Sequence, residues 1–138
     1  MIVVDTNVLS EALLPAPAPK VLDWLRSEPL VSLFTTAITE AELLYGIALL
    51  PLGRRRNALA ASILEILTAD FDGRILPFDS AAARESADIA SSRRRSGLPI
   101  SEADARIAAI ARSRGAAVAT RNISDFSGCG VTVIDPWR

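Results

Sequence analysis

The chain has 138 residues, half of them apolar, with a formal net charge of −1, one cysteine and no histidine. That length suits one compact domain with a full core, so a single domain over residues 1–138 is expected. The absence of histidine excludes Ser-His-Asp and Cys-His catalysis and histidine zinc sites, and a lone Cys129 excludes an internal disulfide or a zinc ribbon.

Ile2–Asp5 is a short β-branched run ending in an acid, read as a buried strand. Asn7–Leu14 reads as a helix stopped by the Pro15-Ala16-Pro17-Ala18-Pro19 turn. Val21–Ser27 is a short helix ended by Pro29, and Leu30–Phe34 a second strand. Thr39–Leu50 is a strongly apolar helix closed by Pro51 and Gly53, followed by a helix over Arg54–Ala69. Arg74–Phe78 reads as a strand, Ala81–Arg95 as a helix ended by Gly97 and Pro99, and Ser101–Arg114 as a helix ended by Gly115. Ala117–Thr120 and Val131–Ile134 are short strands. Strands alternating with helices predict an α/β fold, a central mostly parallel sheet flanked by helices on both faces. The opening Met1-Ile2-Val3-Val4-Asp5 lacks the basic start of a signal peptide, and no apolar run spans a bilayer. A cytoplasmic protein without membrane contact is the expectation.

With no GxGxxG after the first strand and no Walker A motif, the chemistry left is that of carboxylate, hydroxyl, amide and arginine. Asp5 ends the first strand, and Asp125 lies in the loop Arg121–Phe126 beyond the strand ending at Thr120. In a parallel sheet both loops open on the edge where ligands bind. Asp104 sits at the border of the apolar stripe Ile100, Ala103, Ile107, Ile110, Ala111. An acid facing inward must be paired, protonated or metal-bound. On the 39–50 helix, apolar nearly all round, helical angle does not choose between Glu40 and Glu42. Structural roles compete with chemical ones. Thr39-x-x-Glu42 and Ser101-x-x-Asp104 both fit a capping box. Asp5 fits a helix N-cap and Asp125 an Asx-turn.

Two carboxylates about 4 Å apart repel by about 4 kcal/mol at an effective dielectric of 20. Four converging acids therefore protonate or take up cation, and oxygen-only donors favour Mg²⁺ or Mn²⁺. Such a site suits phosphodiester hydrolysis without histidine. Thr6, Asn7, Thr120 and Asn122 flank the acids and would orient them or contact phosphate. Of the 15 basic residues all but Lys20 are arginine. The triplets Arg54-Arg55-Arg56 and Arg93-Arg94-Arg95 read either as phosphate contacts or as solvated helix ends.

Four segments carry a resemblance: Ile2–Glu11, Ile38–Ile47, Asp104–Ala111 and Thr120–Phe126. In this order and spacing they resemble the PIN-domain ribonucleases, and within them the VapC-type toxins of bacterial toxin–antitoxin pairs. The family's glutamate precedes a leucine and stands four before a glycine, which matches Glu42 with Leu43 and Gly46, and not Glu40. Its aspartates match Asp5, Asp104 and Asp125. The resemblance implies a parallel-sheet fold, Mg²⁺ or Mn²⁺ held by these four acids, and endonucleolytic RNA cleavage. It also implies a homodimer and an antitoxin protein that inhibits the site, with promoter DNA reached only through that antitoxin. A haloacid-type phosphatase would want a second acid at position 7 and a downstream lysine, where this chain has Asn7 and no lysine beyond Lys20. A non-catalytic RNA-binding or scaffold module would lack some of the acids. A DNA-directed nuclease of the same superfamily would share all four, and small size favours the toxin branch.

Overall fold

The computed structural model describes all 138 residues. In chain order the elements are β1 (Ile2–Val4), α1 (Thr6–Ala12), α2 (Pro19–Ser27), β2 (Leu33–Thr36), α3 (Ala37–Ala48) and α4 (Arg54–Glu65). They continue as β3 (Ile75–Leu76), α5 (Ser80–Arg95), α6 (Glu102–Ser113), β4 (Ala117–Ala119), α7 (Ile123–Phe126) and β5 (Val133–Ile134). The five strands form one sheet in the order β3-β2-β1-β4-β5, every pair parallel. The expected α/β architecture is the observed one.

Alternation along β1 divides the core. Val3 packs with Val118, Ile89, Ile107, Ile110 and Phe126 on the α5–α6–α7 face. Val4 packs with Val8, Leu33, Leu43, Ile47 and Ile63 on the α1–α4 face. Successive strand residues point to opposite faces, so a strand covered on both sides must be apolar throughout. The chain leaves β1 toward β2 and later returns to the opposite side as β4. Between β1 and β4 the strand order reverses, and in an open α/β sheet ligands bind in that crevice, outside the carboxyl ends. No helix is long and apolar enough to cross a membrane.

Several boundaries differ from those expected. The apolar stretch at 30–34 splits, with Leu30–Ser32 a 3-10 turn and β2 running on through Thr36. Pairing with Ile75 and Leu76 extends β2 beyond what local pattern indicated. Consequently Thr36, not Thr39, caps α3, accepting the Thr39 amide at 3.1 Å. The capping-box role for Glu42 falls with this shift. α4 ends at Glu65, and Ile66–Asp70 continues as a wider π-turn. β3 and β5 are shorter than read because only two residues of each find a ladder partner.

Candidate active site

Asp5 is the first residue beyond β1 and the N-cap of α1, its Oδ1 accepting the Thr6 amide at 2.7 Å. Only 3% of it is exposed. Its Oδ2 accepts the Thr120 hydroxyl at 2.8 Å. Thr120 in turn accepts the Asn7 side-chain amide at 3.2 Å and the Asn122 backbone amide at 3.1 Å. The Asn7 carbonyl oxygen accepts the Arg121 amide at 3.2 Å. This network ties the loop after β4 to the start of α1 across the switch point. Burial pushes the Asp5 carboxyl from its ordinary 3.8 up to about 6. The Thr120 and Thr6 hydrogen bonds oppose that rise, and the charges of Asp104 and Glu42 add to it.

Glu42 reaches the site from α3. Its Oε1 accepts the Thr6 hydroxyl at 2.7 Å, and that hydroxyl lies 3.0 Å from the Thr39 hydroxyl. Glu40, two residues earlier on α3 and so on its opposite side, lines neither of the two principal cavities. The tertiary contact thus separates two glutamates that helical angle left level. Asp104 stands in the first turn of α6, its amide donating to the Ser101 hydroxyl at 3.2 Å. Capping by Ser101 and a place in the acidic cluster coexist. Burial raises the Asp104 carboxyl above the usual range, with Asp125 and Glu42 adding to the rise. The Ser101 hydrogen bond opposes that rise, and so does the charge of Arg93.

Asp5, Glu42 and Asp104 line a cavity of about 440 Å³ together with Thr6, Asn7 and Asn122. Asp125 does not line it. It lies on α7, a short helix where a loop was expected, and its charge helps raise the Asp104 carboxyl. The helix forms because Phe126 is fully buried and because Arg93 holds its C-terminal end. Arg93 departs from both readings of its triplet. It is only 8% exposed, its Nη1 donating to the carbonyls of Asp125 at 2.9 Å and Ser127 at 2.7 Å. Its Nε donates to the Leu98 carbonyl at 2.6 Å. Arg94 and Arg95 remain exposed, as do Arg54 and Arg55.

Thr6, Asn7 and Thr120 spend their hydrogen bonds orienting the site. Glu11, Arg121 and Trp137 also line the cavity and were not singled out from sequence. Glu11 lay within a motif segment, whereas nothing local to Trp137 signalled it. The donor set is all oxygen, which suits Mg²⁺ or Mn²⁺. No three carboxylates converge tightly enough, as placed, to enclose an ion by themselves. Mg²⁺ is characteristically held by one or two carboxylates with waters and substrate phosphate, so this open arrangement fits it.

A family model described as PIN domain matches residues 2–127. The chain is 43% identical over 142 residues to a VapC ribonuclease Y4jK of Sinorhizobium fredii, covering 100% of this chain and 99% of that one. It is 42% identical over 138 residues to the toxin FitB of Neisseria gonorrhoeae, again covering 100% and 99%. A solved structure of FitAB bound to an IR36 DNA fragment superposes with a TM-score of 0.94 at 41% identity, covering 100% of this chain and 96% of that one.

Proposed function

The chain belongs to the PIN-domain family and is of its VapC type, and from that premise we propose that it is a Mg²⁺- or Mn²⁺-dependent endoribonuclease serving as the toxin of a toxin–antitoxin pair. We read residues 1–138 as a single PIN domain. The observation that carries the proposal is the convergence of Asp5, Glu42 and Asp104, from three separate segments, on one cavity at the β1/β4 switch point. Asp5 and Asp104 are held above the usual carboxylate range first by burial and then by neighbouring carboxylate charge, a setting that favours a cation.

Asp5, Glu42 and Asp104 are the residues that would hold the metal, with Asp125 as an outer ligand reached through Asp104. A bound divalent cation supplies charge stabilisation for phosphate and activation of water. The chain's own groups do the positioning. Thr120 and the Thr6 amide fix both oxygens of Asp5, so its ligand geometry costs no reorganisation on binding. The Thr6 hydroxyl holds Glu42. Both hydrogen bonds to Asp5 favour its ionised form, the form a metal ligand needs.

An antitoxin partner is supported by the relatives and by a second cavity of about 570 Å³ that shares Thr6, Ser10, Leu14 and Glu42 with the first. Its walls include Leu13, Leu43, Ile47, Leu50, Leu59 and Ile63. A segment with an apolar face and a terminal cation would fill both cavities at once. The related FitAB assembly is bound to DNA, which supports promoter DNA as a partner reached through the antitoxin. Leu44, Tyr45, Leu49 and Leu52 are exposed on α3 and the turn after it, which supports a homodimer.

The direct test is cleavage of RNA by purified protein with Mg²⁺ or Mn²⁺, its loss in EDTA, and its loss in Asp5→Asn and Asp104→Asn variants that remain folded. Undiminished cleavage by Asp5→Asn protein, freed of contaminating nuclease, would overturn the proposal.

A further inference from the structure

The cavity that would take RNA is lined by four carboxylates, those of Asp5, Glu11, Glu42 and Asp104, and by one cation, Arg121. A polyanion entering such a cavity meets repulsion everywhere except at that guanidinium. Arg121 is not spent on the protein. Its side chain makes neither a hydrogen bond nor an ion pair, and the cation that acts on Asp104 is Arg93 instead. Its position is nevertheless set twice. Its backbone amide donates to the Asn7 side chain at 3.2 Å, and its guanidinium carbon lies 5.2 Å from the ring centroid of Trp137. Trp137 is itself half-buried against the α1–α4 core, and it lines the same cavity.

A guanidinium stacked on a tryptophan face keeps its in-plane N–H donors free, and that planar fork matches two phosphate oxygens. We infer that Arg121, backed by Trp137, is a phosphate-binding subsite that holds an RNA phosphate next to the one at the acidic cluster. The inference rests on the ribonuclease reading for the identity of the ligand. One face of the indole is covered by Arg121, so Trp137 acts as a platform for the arginine and not as a base-stacking surface. The subsite gives the acidic cavity a point of attachment and sets the register of the backbone relative to Asp5.

The test separates charge from geometry. Binding of a short single-stranded RNA of mixed sequence is followed by fluorescence anisotropy in an Asp104→Asn background with Mg²⁺, across a salt series. Cleavage of the same RNA is followed in the otherwise wild-type protein. Arg121→Met is expected to weaken binding roughly 10- to 100-fold, as loss of a charge-assisted contact does. It should also flatten the slope of log affinity against log salt by about 0.7, one phosphate's worth for single strands. Arg121→Lys should keep the salt slope and lose part of the affinity, because it retains charge without the fork. Trp137→Ala should do the same, since it frees the arginine without removing it, and Trp137→Phe should restore binding. In cleavage, the Arg121→Met effect should fall on KM with kcat retained. Arg26→Ala, an exposed arginine lining neither principal cavity, is the control and should leave the slope unchanged. Because the Arg121 side chain makes no hydrogen bond or ion pair within the fold, only the exposed contact with Trp137 is lost, and its variants should unfold close to the wild-type urea midpoint. Arg121→Met binding equal to that of the Asp104→Asn parent in affinity and salt slope overturns the subsite, whatever cleavage does. Arg121-dependent binding without any cleavage by wild type supports the subsite and overturns the ribonuclease reading.

Discussion

Replacing Asp5 by Asn removes a buried charge at nearly constant shape, and the metal-free protein should become more stable at neutral pH while losing activity. The folded-state value of about 6 lies above the ordinary 3.8, so between these values the folded chain holds more protons than the unfolded one. Stability from this group is therefore full below pH 3.8 and is lost as pH rises through about 6. The displacement corresponds to about 3 kcal/mol lost by neutral pH, with most of it, about 2 kcal/mol, lost above pH 4. Asn cannot ionise and escapes that loss. Part of the gain is offset locally, because the Thr120 hydroxyl donates to Asp5 Oδ2 while its oxygen already accepts from Asn7 and Asn122. An amide nitrogen at Oδ2 would leave the hydroxyl proton without its acceptor, at about 1 kcal/mol. Urea unfolding in EDTA near pH 4 and near pH 7.5 reads the difference directly. Stability of Asp5→Asn relative to wild type should rise by about 2 kcal/mol between the two pH values. Mg²⁺ should then stabilise wild type and not the variant, since a ligand stabilises only the state that binds it. A relative stability independent of pH, or a pH trend of opposite sign, would refute the claim that desolvation dominates at Asp5.

Four further outcomes follow from the same geometry. Glu42→Gln should lower cleavage by about 10- to 100-fold or more. Glu40→Gln, outside both principal cavities, should leave initial rates near wild type. Thr120→Val removes a donor that favours the ionised form of Asp5, so the acidic limb of the pH–rate profile should move to higher pH, as read from initial rates across a pH series. Arg93→Met leaves the carbonyls of Leu98, Asp125 and Ser127 without their guanidinium donor and should cost about 3–5 kcal/mol in urea unfolding followed by intrinsic tryptophan fluorescence.

Much of this protein is legible along the chain. The run Ile2–Val4 ending in Asp5 marks a buried strand and a charged strand end, because apolar burial on both faces and a polar terminus are local properties. Alternating strands and helices announce the parallel sheet, and the stripe on α6 places Asp104 at its edge. Glycine and proline punctuation locates most helix ends to within a few residues, as at Gly97 and Gly115, whose φ of 74° and 66° suit residues without a side chain. What sequence left level, contacts between distant segments decided. Glu42 parts from Glu40 through the Thr6 hydroxyl, offered by another helix. Thr36 takes the cap of α3 from Thr39 because pairing with β3 extends β2 to that point. Arg93, one of three identical neighbours, is buried because the turn after α7 folds over it. Arg121 and Trp137 meet only because the chain passes through β5 and returns to the mouth of the cavity. Periodicity and capping are written in neighbouring residues, whereas a site assembled at a sheet switch point depends on which segments the packing of two cores brings to the same edge.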